Sequence, residues 1–201
     1  MKHPIVLAAA VLLLAGVGHA GIVTLSGTIS GANENPATPS LGTGFALVTL
    51  DTTAQTLEVN VFFSNLLATI PGTSTPSGTT ASHIHCCVAP PGNAGVATTT
   101  PSFTGFPLGV DSGSFDRVLD LTMSSSYNPA FITAQGSLSA AETALENGLM
   151  SSQTYLNIHT NAFPGGEVRA FLTPTPEPMT GVLALAGFGA LWLIRRQRPN
   201  R

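Results

Sequence analysis

The sequence predicts an all-β domain, a sandwich or Greek-key barrel with one short helix, flanked by two short apolar segments. Three observations carry this reading. Short alternating or apolar runs recur along the middle of the 201-residue chain, separated by clusters of Gly, Pro, Asn and Thr. Gly and Pro together number 36, which leaves little room for long helices. Charged residues make up only 8% of the chain, against about 25% in an ordinary soluble domain, while Ser and Thr number 42, so the surface is polar through hydroxyls. A coiled coil, a long-helix bundle and a charge-rich disordered tail are excluded.

Taken in order, residues 1–20 read as a secretory signal peptide. Lys2 and His3 form a short basic start, Ile5 to Val17 an apolar stretch, and Gly18-His19-Ala20 a small-x-small cleavage site with Ala20 at the cut. The alternative is an uncleaved anchor, but the apolar run is short for a span. Strands are expected at Ile22–Ser30, Gly44–Asp51, Thr56–Ser64, Ala81–Cys86, Phe115–Thr122, Thr154–His159 and Glu167–Leu172. The clearest hairpin joins the second and third across Asp51-Thr52-Thr53-Ala54-Gln55. In its second strand Leu57, Val59 and Val61 take one face and Glu58 and Asn60 the other. One helix is expected where Ser139 and Glu142 fit a capping box and Ala141, Leu145 and Leu149 follow at helical spacing, with Gly148 fraying its end. The Pro/Gly/Thr-rich stretches Thr69–Thr80 and Pro90–Val110 are long loops of the kind that bind or cover ligands.

After this domain, residues 21–173, comes a Pro-rich linker, 174–178, then an uncharged run, 179–194, then a basic tail, 195–201. Sixteen residues make a helix of about 24 Å against a hydrocarbon core of about 30 Å, so the run is a transmembrane helix only with snorkelling arginines. The terminal Arg cluster holds that end in the cytoplasm and puts the domain outside. Between Gly21 and Thr173 there are nine acids and two bases, a net of −7. The middle is therefore an acidic exported domain, with no clustered Lys and Arg to follow a nucleic-acid backbone.

The domain has three histidines, in Ser82-His83-Ile84-His85 and Leu156-Asn157-Ile158-His159-Thr160. In a strand i and i+2 share a face, so His83 and His85 point the same way, and a neighbouring strand could set His159 beside them. Three imidazoles suffice for a copper or zinc site with one open position. The alternative is that these rings hydrogen-bond loop backbone and a hairpin end. Cys86-Cys87 follows at once. In an exported chain the pair reads as a vicinal disulfide, a strained and easily reduced eight-membered ring, with two thiols assisting a soft metal or simple burial as alternatives. No serine sits in a nucleophile elbow and no Gly-rich loop precedes a Lys, so no catalytic set is evident. Glu167 and Arg169 flank Val168 and share one face of the last strand. They read as a solvated ion pair, or alternatively as an Arg that orients a carboxylate or the histidine loop.

Two resemblances add to this reading. Pro176-Glu177-Pro178, the glycine-containing apolar run with Trp192, and Arg195-Arg196-Gln197-Arg198 resemble a PEP-CTERM sorting signal. That resemblance implies recognition by a membrane-embedded exosortase and delivery to the cell surface, the alternative being an ordinary single-span anchor. From about Leu25 to Leu172 the chain resembles a CHRD domain. The blocks that carry it are Leu25-Ser26-Gly27, Ala32-Asn33-Glu34-Asn35-Pro36, Gly42-Thr43-Gly44-Phe45-Ala46, Ser82-His83-Ile84-His85 and Tyr155 to Thr160 running on to Gly165-Gly166-Glu167-Val168-Arg169-Ala170-Phe171. Cys86-Cys87 stands where many members have Gly-Pro. The resemblance implies an immunoglobulin-like barrel with limited similarity to copper/zinc superoxide dismutases. Dismutase activity does not carry over, because three histidines cannot supply four copper ligands.

The function expected is therefore that of an exported, non-enzymatic surface or matrix module. Its partners would be an exosortase-type enzyme, the membrane through the C-terminal helix, and exopolysaccharide or another surface protein, with no nucleic acid. The second reading is a copper- or zinc-binding domain built on His83, His85 and His159. A hydrolase has only scattered acids to support it, and Asp116 and Asp120 fall on solvent-side strand positions.

Overall fold

The computed structural model describes residues 21–175. The leader with Ala20, the Pro176-Glu177-Pro178 motif, the apolar run 179–194 and the tail with Arg195 and Arg196 lie outside the described residues. Among the described residues no helix is long and apolar enough to cross a membrane.

Eight strands form the body: β1 (Ile22–Ser30), β2 (Thr43–Asp51), β3 (Thr56–Ser64), β4 (Thr79–Cys86), β5 (Gly95–Val96), β6 (Gly113–Asp120), β7 (Thr154–Thr160) and β8 (Val168–Pro174). Two helices, α1 (Pro129–Gln135) and α2 (Leu138–Met150), lie between β6 and β7. The strands make one antiparallel sheet in the order β5-β4-β7-β8-β1-β2-β3-β6, curled into a half-barrel. This differs from two facing sheets: a single sheet wraps its own inner face.

The inner face is apolar at every second position, as a half-buried strand requires. Leu25 and Ile29 of β1, Ala46, Val48 and Leu50 of β2, and Leu57, Val59, Val61 and Phe63 of β3 are all buried in one cluster. The β2–β3 hairpin pairs without a break from Thr43↔Ser64 to Asp51↔Thr56. Its turn is closed by Asp51, whose carboxylate accepts from the Thr53 and Ala54 amides.

The gap in the half-barrel is filled by the segment after β5. It runs along the free edge of β4, with Ala97 N–H on Ile84 O at 2.9 Å, Phe103 N–H on Ser82 O at 2.9 Å and Gly109 N–H on Thr79 O at 2.7 Å. It also carries Phe103 and Phe106 against Phe63 and Phe115, with ring centroids 5.4 to 5.5 Å apart. The expected loop Pro90–Val110 is thus a wall of the core, with a two-residue strand inside it.

Helix α2 adds Ala141, Leu145 and Leu149 to the same core. It begins earlier than the capping box suggests: Ser137 is the cap, accepting from Ala140 N at 3.1 Å. Glu142 does not return to the cap but accepts from Gln55 Nε2 at 2.9 Å. Gly148 is a buried interior position and not a frayed end. A second helix, α1, was not expected. Asn128 caps it, Pro129 opens it and Gly136 ends it in the left-handed region at φ 91°.

Candidate metal centre

Strand β4 sends Ile84 into the core, so His83 and His85 face outward. Strand β7 is antiparallel beside it, pairing His83 with Asn157 and Ala81 with His159, which sets His159 diagonally across from His83. The three rings meet: centroids lie 4.9 Å apart for His83–His85, 4.7 Å for His83–His159 and 6.1 Å for His85–His159. One nitrogen from each lies within 4.8 Å of the other two. Outward does not mean wet here, because His83 and His85 are buried and His159 is half-buried.

Backbone carbonyls fix the tautomer of two rings. His85 Nδ1 is 2.8 Å from Ala94 O, and His159 Nδ1 is 2.8 Å from Pro164 O. A carbonyl only accepts, so each Nδ1 carries the hydrogen and each Nε2 carries the lone pair. The Nε2 atoms of His83, His85 and His159 are all buried without a hydrogen-bond partner. Both nitrogens of His83 are in that state; the Pro101 carbonyl lies towards it without making a hydrogen bond.

Burial sets the protonation. It pulls His83 down to about 3, helped by the neighbouring His159 and His85 rings, and His85 to about 4 against the opposing pull of the Ala94 carbonyl. His159 is lowered chiefly by burial, with the Pro164 carbonyl opposing. All three rings are neutral near pH 7. Leaving such lone pairs buried and unmatched costs about 1–3 kcal/mol each. A divalent ion bound by one nitrogen of each ring would satisfy these lone pairs. The residues therefore fit copper or zinc.

Around the triad lies a polar layer that alternation alone does not reveal. Tyr155 stacks on His85, centroids 4.6 Å apart and planes 9° from parallel, and the Arg169 guanidinium lies 4.3 Å from the Tyr155 ring centroid. Ala94 clasps the Tyr155 hydroxyl, its N–H donating at 3.1 Å and its carbonyl accepting at 3.3 Å. Arg169 Nε donates to Glu34 at 2.7 Å in a buried ion pair, and Arg169 Nη2 donates to Asn93 at 2.9 Å. Burial raises the Glu34 pKa, and Arg169 opposes this. A cleft of about 550 Å³ opens beside them, lined in part by His85, Asn93, Tyr155 and Arg169.

The expected Glu167–Arg169 surface pair is not formed. Both residues are buried, at 0% and 3% exposure, and they act separately. Glu167 accepts from Ser40 Oγ, Thr160 Oγ1 and the Leu67 amide, tying three segments together, while Arg169 takes Glu34. Loops cover this part of the outer face, so a position that alternation assigns to solvent is interior. Cys86 and Cys87 form the disulfide, and Cys86 takes the opposite face of β4 from His83 and His85, so the cysteines stand apart from the triad. Asp116 and Asp120 are exposed on β6. Glu34, Asn93, Asn157 and Tyr155 were not singled out as site residues. Glu34 lies in the Ala32–Pro36 block and Tyr155 and Asn157 in the block that runs from Tyr155 to Phe171 and holds Arg169, but nothing in the spacing joins Glu34 to Arg169.

A curled antiparallel half-barrel with a three-histidine cluster on its outer face defines the class as a mostly-β domain with a group of imidazoles at one end of the sheet. The CHRD domain family model matches residues 25–172, and the chain belongs to that family. No curated protein matches the chain, and no solved structure does.

Proposed function

We propose that the chain is an exported, non-enzymatic binding module that holds a copper or zinc ion on His83, His85 and His159. One observation supports the ion above all: one nitrogen of each ring lies within 4.8 Å of the other two, and all three Nε2 atoms are buried with no partner, those of His85 and His159 left as lone-pair donors by carbonyls at Nδ1. A bound ion with an open position would supply Lewis acidity, or one-electron chemistry if it is copper. The protein's own part is to orient the rings, keep them neutral and exclude water. The test is elemental analysis of the intact chain after loading and exhaustive dialysis, beside His83→Gln/His85→Gln. Near one equivalent in the first and none in the second is expected; none in either sinks the reading.

The family suggests an extracellular binding module. Export and sorting by an exosortase rest on the leader and on the Pro176-Glu177-Pro178 tail. A binding face is supported by Phe45 and Phe62, paired across β2 and β3, and by Val118 on β6, all large and exposed. This face suits exopolysaccharide or another surface protein. Retention on native exopolysaccharide should fall for Phe45→Ser/Phe62→Ser; equal retention would exclude this face.

A further inference from the structure

We infer that Cys86–Cys87 is a thiol-accessible redox site, opened by a dithiol, and that opening it loosens the carbonyl anchor of His85. The consequence for metal affinity rests on the metal reading; the redox site itself does not.

Access comes first. The disulfide lines a cleft of about 370 Å³ whose far wall is α1, with Asn128, Phe131, Ala134 and Gln135. Both cysteines line the cleft, and Cys87 is the more exposed residue of the two, so attack is assigned to it. A dithiol then reacts in two balanced steps. Its thiolate bonds to Cys87 Sγ, the Cys86–Cys87 bond breaks, and Cys86 leaves as a thiolate that takes a proton from water. The second thiol of the reagent then attacks its own sulfur in the mixed disulfide and releases Cys87, which is protonated in turn. The protein gains two electrons and two protons, and the dithiol becomes a cyclic disulfide.

Packing decides how the opened pair settles. Both sulfurs sit against α2: Cys86 Sγ is 3.7 Å and Cys87 Sγ 3.4 Å from the Ala144 carbonyl, contacts without a proton in the oxidised form. A β-carbon on Gly148 would overlap Cys86 Sγ and come within 3.1 Å of Cys87 Sγ. The helix is therefore as close as glycine permits. Two separate thiols need a non-bonded spacing well beyond the ~2.05 Å of a disulfide. That room is not available against Gly148, so one sulfur must move away. Cys87 is the freer, and the loop from Val88 to Ala94 moves with it. Ala94 holds His85 Nδ1 and the Tyr155 hydroxyl, so displacement of this loop releases the ring that it orients.

The experiment treats the intact oxidised chain with dithiothreitol in native buffer, traps thiols with iodoacetamide and counts adducts by mass. Two adducts with an unchanged far-UV spectrum are expected, and Ala134→Trp, which fills the cleft, should slow their appearance roughly tenfold. Adducts only under unfolding conditions, or no effect of Ala134→Trp, overturn the redox site. For the anchor, the His85 Nδ1–H resonance should be protected from exchange in the oxidised form and lose protection in the reduced form and in Cys86→Ser/Cys87→Ser. Equal protection in all three overturns the coupling whether or not metal binds. Zinc affinity should drop roughly tenfold in both opened forms. A rise confined to the thiol form means the sulfurs have become ligands, which also overturns the coupling. Failure of every form to hold zinc would count against the metal reading alone.

Discussion

Two parts of the same sheet treat their outer faces in opposite ways. Across β2, β3 and β6 the inner face is core and the outer face is open, so Phe62 stands 60% exposed beside polar Asn60 and Ser64. Across β4, β7 and the start of β8 both faces are buried, although the outer one carries His83, His85, Asn157 and Arg169. The difference lies in what covers them. The segments carrying Glu34, Ala94 and Pro164 lie over the second panel and supply its polar partners. Polar side chains there gain a dry setting in which a charge or lone pair is strongly felt, and in which each missing partner is costly.

Breaking the covered panel should have the largest effect. Arg169→Met leaves the Glu34 carboxylate buried without its partner and should cost about 3–5 kcal/mol in urea denaturation. In the open panel, Asp116→Asn should stay within about 0.5 kcal/mol. Similar losses for the two would erase the distinction.

Acid should separate the panels next. Without metal, neutral His83 and His85 stabilise the fold fully above pH 6.5, and this contribution is lost as pH falls from 6.5 through about 4 and about 3, because the unfolded chain takes up protons first. Glu34, raised by burial, acts in the opposite sense above its ordinary value. The comparison is therefore with His83→Gln/His85→Gln, which keeps Glu34 and should flatten the fall in Tm. A parallel fall in the variant would show that the rings are not its source.

The smallest effect sharpens the boundary of α2. Ser137→Ala should cost about 1 kcal/mol and Ser139→Ala a few tenths, read from urea midpoints. The reverse order would restore Ser139 as the cap.

Legibility in the sequence divides along the same line. Strands β1 and β3 match their expected bounds to the residue and β2 to within one, because turn residues end them and one face alternates. Strand β4 begins two residues early, since Thr79 and Thr80 merge into a Thr-rich stretch. The HxH pair was legible from the period of two, and His159 from the prospect of a neighbouring strand. The pairing of Arg169 with Glu34, 135 residues away, was not, because nothing local says that a loop will cover a strand's polar face. Helix α1 escaped for a simpler reason: seven residues with one buried side chain leave no period to detect, although Asn128-Pro129 and Gly136 mark its ends.

The neighbouring of β1 and β8 has a consequence for presentation. Leu25 pairs with Pro174, and Thr175 N–H reaches Thr24 O at 2.8 Å, so chain continuing before Gly21 and chain continuing after Thr175 leave by one end of the domain. Arg169 lies five residues back along β8, about 16 Å at strand rise, level with His83 and Asn157. The histidine cluster therefore lies at the opposite end of these strands from both flanks.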